Sequence, residues 1–241
     1  MKRLFDSVIS LTGLLIATPV LIPVIFLVWL QDFKNPFYIP KRVGKNGKEF
    51  YMIKLRSMVV NADSSGVDST GANDSRITRI GHVIRKFKLD ELTQLWNVLI
   101  GDMSLVGPRP NVKAETDMYT LSEKKLLTIR PGITDISSII FSDEGDILAN
   151  EENPDLAYNQ LIRPWKSRLG IVYIENKNLV LDLQLIIVTV IAVFSRDIAI
   201  RWVSQKLEKL KVDEKIITIS KRNIDLYPYP PPGTSQIVSK R

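Results

Sequence analysis

The chain has 241 residues, a formal net charge of +7 and an isoelectric point of about 9.5. That balance points to an anionic partner: a phosphorylated small molecule, an acidic membrane surface or nucleic acid. The absence of cysteine and the single histidine, His82, exclude a disulfide framework, thiolate metal sites, a cysteine nucleophile and His-rich zinc sites. A Ser-His-Asp triad would have to run through His82, which has nothing at ligand spacing beside it and reads as a structural or surface residue. The length suits one domain plus appendages.

Val8 to Leu30 is nearly free of charge. As a straight helix it would reach about 30 Å or slightly more, enough to cross a hydrocarbon core. A cleaved signal peptide would have a shorter apolar core and a small-x-small cleavage site; no such site is evident. Lys2 and Arg3 precede the segment, and Lys34, Lys41, Arg42, Lys45 and Lys48 follow it. With positive charge at both ends, no orientation follows for a single crossing. Pro19 and Pro23 predict a bend. A break at Thr18-Pro19 would let the chain enter the bilayer and return to the same face, if the freed carbonyls find partners such as the Ser10 or Thr12 hydroxyl or a neighbouring helix. A kinked transmembrane anchor fits the residues equally well.

Phe37 to Val43 and Glu49 to Leu55 flank Gly44-Lys45-Asn46-Gly47-Lys48, and Asn-Gly between β-prone runs predicts a hairpin. Asn61 to Thr78 is rich in Ser, Asp, Asn and Gly and predicts a long, functional or mobile loop. Ile80 to Phe87 is a short basic helix. Glu91 to Ile100 is the clearest helix, with Leu92, Leu95, Trp96 and Leu99 on one face, Asp90 as N-cap and Gly101 as stop. Asn111 to Ile129 and Asp155 to about Arg168 predict two more helices. Leu179 to Phe194 is apolar but short, and Asp182 and Gln184 interrupt it, which suits an interfacial or half-buried amphipathic helix. Arg201 to Lys211 carries Val203, Leu207 and Leu210 on one side and Lys206, Lys209 and Lys211 on the other, facing lipid headgroups or solvent. The proline-rich tail after Asn223 predicts no regular structure.

The chemistry concentrates in Lys88-Leu89-Asp90-Glu91-Leu92 and Gly107-Pro108-Arg109-Pro110. Adjacent helical residues point about 100° apart, so Asp90 and Glu91 do not face each other; in a first turn both lean toward the positive helix end. Simple capping would explain them. Arg85 and Lys88 upstream, and Arg109 held between prolines, favour phosphoryl chemistry instead. Arginine offers a planar fork to phosphate, and a carboxylate beside cations and Mg²⁺ can attack phosphorus. Lys54 and Arg56 share a strand face and either line an anionic pocket or lie on a solvent face. No nucleic-acid-binding motif accompanies the basic excess.

Lys2-Arg3-Leu4-Phe5-Asp6, Val43 to Lys48, Met52 to Met58, Leu89 to Leu99, Gly101 to Pro110 and Arg130 to Thr134 together resemble the bacterial sugar transferase family, the small monotopic polyprenyl-phosphate phosphoglycosyl transferases. The resemblance runs from Lys2 to about Phe194. It implies an enzyme that moves a sugar 1-phosphate from a UDP-sugar to undecaprenyl phosphate, releases UMP and starts a surface glycan that downstream glycosyltransferases extend. It implies Mg²⁺ at Asp90 and Glu91, Asp90 as covalent nucleophile, Glu91 beside the metal or as a base on the lipid phosphate, and Arg85 and Arg109 as phosphate-binding groups. It further implies a helix re-entrant at Thr18-Pro19 and a catalytic domain on the cytoplasmic face of the inner membrane, among phospholipids. Thr18 stands where the family usually has Ser, Lys88 where Ser or Thr is frequent, and Asp135-Ile136-Ser137 where many members have Gly and an aromatic; that last region is one expected to touch the sugar.

The expected architecture is an α/β, mostly helical enzyme with a small β-hairpin and interfacial helices. Residues 1–35 would form the re-entrant helix, 36–200 the catalytic domain, and 201–241 a basic helix and tail. Two alternatives stay open: a non-catalytic membrane-anchored recruitment module, and a lipid-acceptor glycosyltransferase that releases UDP.

Overall fold

In the computed structural model, which describes residues 1–65, 71 and 74–239, the apolar segment forms one helix, α1 (Lys2–Leu30), with both prolines inside it. Thr18 Oγ1 donates to Leu14 O at 2.7 Å. A back-bonded hydroxyl and two missing N–H groups each favour a bend here, yet helical structure continues through Thr18-Pro19. Polar residues seat its N-terminal end on the body. Lys2 Nζ donates to Asp182 Oδ2 at 2.6 Å, Ser104 Oγ donates to Asp6 Oδ2 at 2.8 Å, and Arg3 donates to Leu99 O at 2.6 Å and also to Val98 O. Near the other end Leu21 and Val28 bury against Leu55 and Ile84, and Arg56 grips the Asp32 carboxylate just past the helix. Most of the remaining α1 surface is exposed and apolar, including Leu4, Leu15, Ile16 and Ile22.

The predicted hairpin is present: β2 (Lys41–Val43) pairs antiparallel with β3 (Glu49–Tyr51), Arg42 opposite Phe50. Asn46 and Gly47 take the positive φ of 58° and 76° that the turn requires. Two further pairs add to it. β1 (Phe37–Tyr38) runs antiparallel to β4 (Lys54–Leu55), and β5 (Ser104–Val106) parallel to β6 (Gly132–Thr134). The other regular elements among the described residues are helical. Of the predicted loop, residues 66–70 and 72–73 lie outside the described residues; at its edges Met58 and Ile77 form an antiparallel bridge.

Several helices differ from expectation. The basic helix is α2 (Arg79–Lys86), with His82 exposed on it. The Glu91 to Ile100 helix is two pieces, α3 (Leu89–Leu92) and α4 (Leu95–Ile100), and Gly101 stops the second at φ 100°. Asn111 to Ile129 is likewise divided into α5 (Lys113–Asp117) and a 3₁₀ turn (Glu123–Thr128). Between them Glu123 N donates to Thr120 Oγ1 at 3.1 Å and Thr120 N to Glu123 Oε2 at 3.0 Å. This is the reciprocal pattern of a Thr-x-x-Glu capping box, which restarts a helix. α6 (Ile136–Ile140) and α7 (Glu144–Ile147) follow, then α8 (Pro154–Ala157), a π turn (Tyr158–Ile162) and α9 (Arg163–Asn176).

The core lies where α6, α9, α10 (Leu179–Phe194) and α11 (Arg196–Lys209) close on the β5–β6 pair, with Val106, Ile139, Trp165, Leu169, Leu185 and Leu207 inside. α10 buries Leu181, Asp182, Leu185 and Val188 and exposes Val180, Ile187, Val190 and Phe194. The expected domain boundary after residue 200 falls inside α11, whose Val203 and Leu207 are core residues, as are Ile216 and Ile219 of α12 (Glu214–Ser220). Among its described residues the tail forms no helix or strand but is strapped down. Tyr229 stacks on Trp165 with ring centroids 4.4 Å apart, and Arg168 Nη1 donates to Pro230 O at 2.9 Å.

Candidate active site

Asp90 and Glu91 sit in the first turn of α3, but Asp90 is not its cap. Lys88 takes that position in the left-handed conformation, at φ 52°, uncommon for a residue with a side chain. The turn lets α3 follow α2 with only Phe87 and Lys88 between them, and it leaves the Asp90 carboxylate with no hydrogen bond from any described residue. Below the dyad, Thr93 Oγ1 donates to both Ile53 O and Asp90 O at 3.0 Å. Asn97 bridges the same strand segment, its Nδ2 donating to Tyr51 O at 2.8 Å and its Oδ1 accepting from Ile53 N at 2.9 Å. These bonds fix α3 and α4 against β4 and bring Lys54 to the dyad.

Arg109 reaches the dyad from the other side. Gly107 and Gly132 bring two backbones together: Gly107 N donates to Thr134 O and Gly132 N to Pro108 O, both at 3.0 Å. A Cβ on Gly132 would lie 2.1 Å from Gly107 N. The chain then enters Pro108-Arg109-Pro110, and Arg109 Nη1 donates to Glu91 Oε1 at 2.9 Å and to Ile133 O at 3.2 Å. Gly132→Ala is therefore expected to cost about 1–3 kcal/mol from backbone overlap and to dislodge Arg109. Differential scanning fluorimetry and turnover should fall together in this variant, whereas Gly47→Ala, with nothing within 4 Å, should affect only its hairpin turn.

The two carboxylates are electrically unequal. Burial pushes Asp90 above the usual carboxylate range and the Glu91 charge adds to this, against the pull of Lys54, Arg109 and Arg85. Burial also pushes on Glu91, but Arg109, Lys88 and Lys54 together hold it below its ordinary value. Glu91 thus carries the settled negative charge, paired with Arg109, while Asp90 is the more basic oxygen donor. Lys54 is itself lowered by burial and by Arg109. Arg85 stands at the end of α2 with Nε donating to Ser57 Oγ at 3.0 Å. The structure therefore brings together Asp90, Glu91, Lys54, Arg85 and Arg109. It does not bring in Arg56, which is buried and committed to Asp32 and Val28 O; Thr18 and Pro19 remain in α1, apart from the dyad.

No group of three or more His, Cys, Asp or Glu side chains able to hold a metal occurs among the described residues. A magnesium ion is commonly held by one or two carboxylates, with water and substrate phosphate completing the shell. Asp90, free of hydrogen bonds and next to Glu91, fits such a ligand pair.

A cavity of about 280 Å³ opens beside Glu91, Lys88 and Arg109 and extends to Asp135, Ser137 and Ser138 of α6, then to Glu144, Tyr158 and Lys166. Asp135 and Ser137, from the stretch expected at the sugar, thus line the same cavity as Glu91. Asn111, Glu144, Tyr158 and Lys166 were not foreseen; they are spread over 56 positions between 111 and 166 with no shared motif. The one local hint, the π turn that carries Tyr158, leaves no readable period.

Comparison with known proteins bears on the same stretch of chain. A UDP-galactose-lipid carrier transferase of Erwinia amylovora is 42% identical over 149 residues, 56% of this chain and 31% of that protein. A UDP-glucose:undecaprenyl-phosphate glucose-1-phosphate transferase of Xanthomonas campestris pv. campestris is 32% identical over 208 residues, 82% of this chain and 40% of that protein. The exopolysaccharide production protein ExoY of Sinorhizobium fredii is 36% identical over 153 residues, 57% of this chain and 68% of that protein. The chain thus spans well under half the length of the first two. The model of the family described as bacterial sugar transferase matches residues 1–196, which takes in α1, the hairpin, the dyad, the Pro-Arg-Pro turn and the cavity wall. A match that covers all of these elements at once makes this chain a member of the bacterial sugar transferase family.

Proposed function

We propose that the protein transfers a sugar 1-phosphate from a UDP-sugar to undecaprenyl phosphate and releases UMP. The observation that carries this reading is an unbonded, basic Asp90 carboxylate beside an arginine-paired Glu91 and among Lys54, Arg85 and Arg109. In the first half-reaction an Asp90 oxygen bonds to the phosphorus that bears the sugar, and the bond from that phosphorus to the UMP oxygen breaks. In the second, a phosphate oxygen of the lipid attacks the same phosphorus and the Asp90 carboxylate departs unchanged. Lys54 and Arg109 hold the diphosphate charge, Arg85 the outer phosphate oxygens, and Glu91 keeps Arg109 oriented. Magnesium, held by Asp90 and Glu91, would supply charge neutralisation on the diphosphate. The relatives named for galactose or glucose transfer to a lipid carrier or to undecaprenyl phosphate support this reaction class for the present chain.

Denaturing intact-mass measurement after incubation with a UDP-sugar panel and Mg²⁺, without lipid acceptor, tests the proposal. A sugar-phosphate adduct on Asp90 with matching UMP release is expected, and EDTA should stop both. Release of UDP, or UMP release without any adduct, would refute it.

The same reading places α1 as a helix that dips into the bilayer and returns. Its two ends seat on one body, through Asp6 on Ser104 and through Val28 beside Ile84, while the surface between them is apolar. Exposed Trp96 and Ile100 of α4 and Ile187, Val190 and Phe194 of α10 give further apolar area for the bilayer. Because the chain has no cysteine, topology can be read with single replacements. Leu4→Cys and Lys34→Cys should both react with an impermeant maleimide in inverted vesicles and in neither case in right-side-out ones. Labelling of the two from opposite sides would establish a crossing.

A further inference from the structure

The cavity beside the dyad has a far end that the transfer chemistry leaves unexplained. Glu144 meets Lys166 through one carboxylate oxygen, Oε2; its Oε1 takes no hydrogen bond from any described residue. The Lys166 ammonium lies 5.5 Å from the centroid of the Tyr158 ring. The Tyr158 hydroxyl lines the cavity without a described partner, and Tyr119 OH accepts from Asn111 Nδ2 at 2.9 Å, leaving its own proton free to donate. Burial, then Glu144, pushes the Tyr158 phenol well above its ordinary value, so it stays a donor. A π turn, a form that concentrates at functional sites, sets Tyr158 in place. One open carboxylate oxygen, two open phenol protons and an ammonium form a mixed donor and acceptor wall.

We infer that this end of the cavity receives the sugar ring of the donor, with Glu144 accepting from its hydroxyls and Tyr158 and Lys166 donating to its oxygens. The inference rests on the proposed transfer reaction, since the sugar is bonded to the phosphorus that Asp90 attacks and must lie within one phosphate of it. Arg109 links the two ends: it bonds Glu91, and the Glu144 charge bears on it as well. Size agrees. About 280 Å³ falls just below the usual range for a complete small-molecule site, so the space suits one ring and its phosphate rather than a whole nucleotide sugar. Composition agrees too: a lipid chain has no use for an open carboxylate and an ammonium. A site built around paired hydrogen bonds to hydroxyls rejects an analogue that lacks or misplaces one far more strongly than an apolar pocket can. Glu144 and Tyr158 are on this account specificity-determining residues.

The test compares wild-type protein with Glu144→Gln and Tyr158→Phe, in membranes with undecaprenyl phosphate, over UDP-sugars that differ at single hydroxyls. UMP release gives kcat/KM, and inhibition by UMP alone reports the nucleotide half of the site. Each variant should lose tenfold or more with the best donor and show a flattened ranking among epimers, while the UMP inhibition constant stays within twofold. Tyr158→Phe keeps ring packing and carries the test should Glu144→Gln melt early. An unchanged ranking in both variants, or UMP inhibition weakened as much as turnover, overturns the inference while the transfer reaction stands. A wild-type protein that releases UMP from no sugar in the panel overturns both.

Discussion

Asp90→Asn should abolish turnover, by about three orders of magnitude or more as expected for a removed nucleophile, while the protein melts at a higher temperature than wild type. The first half follows from chemistry: an amide oxygen has no charge to give to phosphorus, and no other described carboxylate among these cations is free, because Glu91 is bonded to Arg109. The second half follows from linkage. The folded-state pKa of Asp90 is raised by burial and by Glu91 even after Lys54, Arg109 and Arg85 are counted. An acid raised in the folded state binds its proton more tightly there than in the unfolded chain. Ionising it therefore opposes folding, and the penalty develops as pH rises from the unfolded value and is complete above the folded one. At neutral pH the asparagine variant escapes that penalty. The melting gain should shrink as pH falls toward the ordinary aspartate range, where wild-type Asp90 is protonated as well. Melting curves from pH 4 to 8 check this. An Asp90→Asn protein less stable than wild type at pH 7 would mean that the carboxylate balances the cations instead of being strained among them. Instability held at a functional site in this way is a familiar trade against activity.

What could be read in advance follows from how local each feature is. The Asn46-Gly47 turn, the stop at Gly101 and the membrane-compatible run in α1 are encoded within a few residues, and each is where it was expected. The dyad region stands out in the sequence by its charged residues, but its helix differs from the periodic pattern. Leu92, Leu95, Trp96 and Leu99 form an apolar face, and the usual inference is that such a face turns inward. Here it is shared: Leu92 packs beside Leu55 and Ile84, Leu95 meets α1, where a Cβ on Gly13 would lie 3.2 Å from it, and Trp96 is about half exposed. The most buried positions are Thr93, Gln94, Asn97 and the core residue Val98, and Thr93 and Asn97 are satisfied by backbone of the Tyr51 to Ile53 segment. Periodicity reports an apolar face without saying how a protein body and a neighbouring apolar helix divide it. Arg56 failed as a pocket residue for a related reason. Strand alternation groups it with Lys54, but Asp32, 24 residues earlier, offers a closer anion. The Thr120 to Glu123 capping box is legible in the sequence and divides what periodicity reads as one long helix. Glu144, Tyr158 and Lys166 were not readable, since only the packing of α7, the π turn and α9 brings them to one wall.

Arg109→Lys should reduce kcat/KM by about two to three orders of magnitude, the usual loss for one preorganised charge-stabilising donor, although the charge is kept. The reason is geometric. One guanidinium nitrogen, Nη1, already serves Glu91 Oε1 and Ile133 O, which leaves the other nitrogens of the planar fork to meet phosphate oxygens. An ammonium has a single nitrogen for all of these tasks. Held at the Ile133 carbonyl and Glu91 it falls short of the phosphate; turned to the phosphate it releases Glu91, whose charge then repels the substrate. The flanking prolines remove the backbone play that a lysine would need in order to adjust. If Arg109 were only a structural partner of Glu91, lysine would restore the pair and activity would fall less than threefold. Arg109→Ala with added guanidinium separates fork from fold: partial recovery of UMP release with guanidinium, and none with methylammonium, is the expected result. Equal rescue by both cations would reduce Arg109 to a point charge and remove the case for a fork-shaped phosphate clamp at this turn.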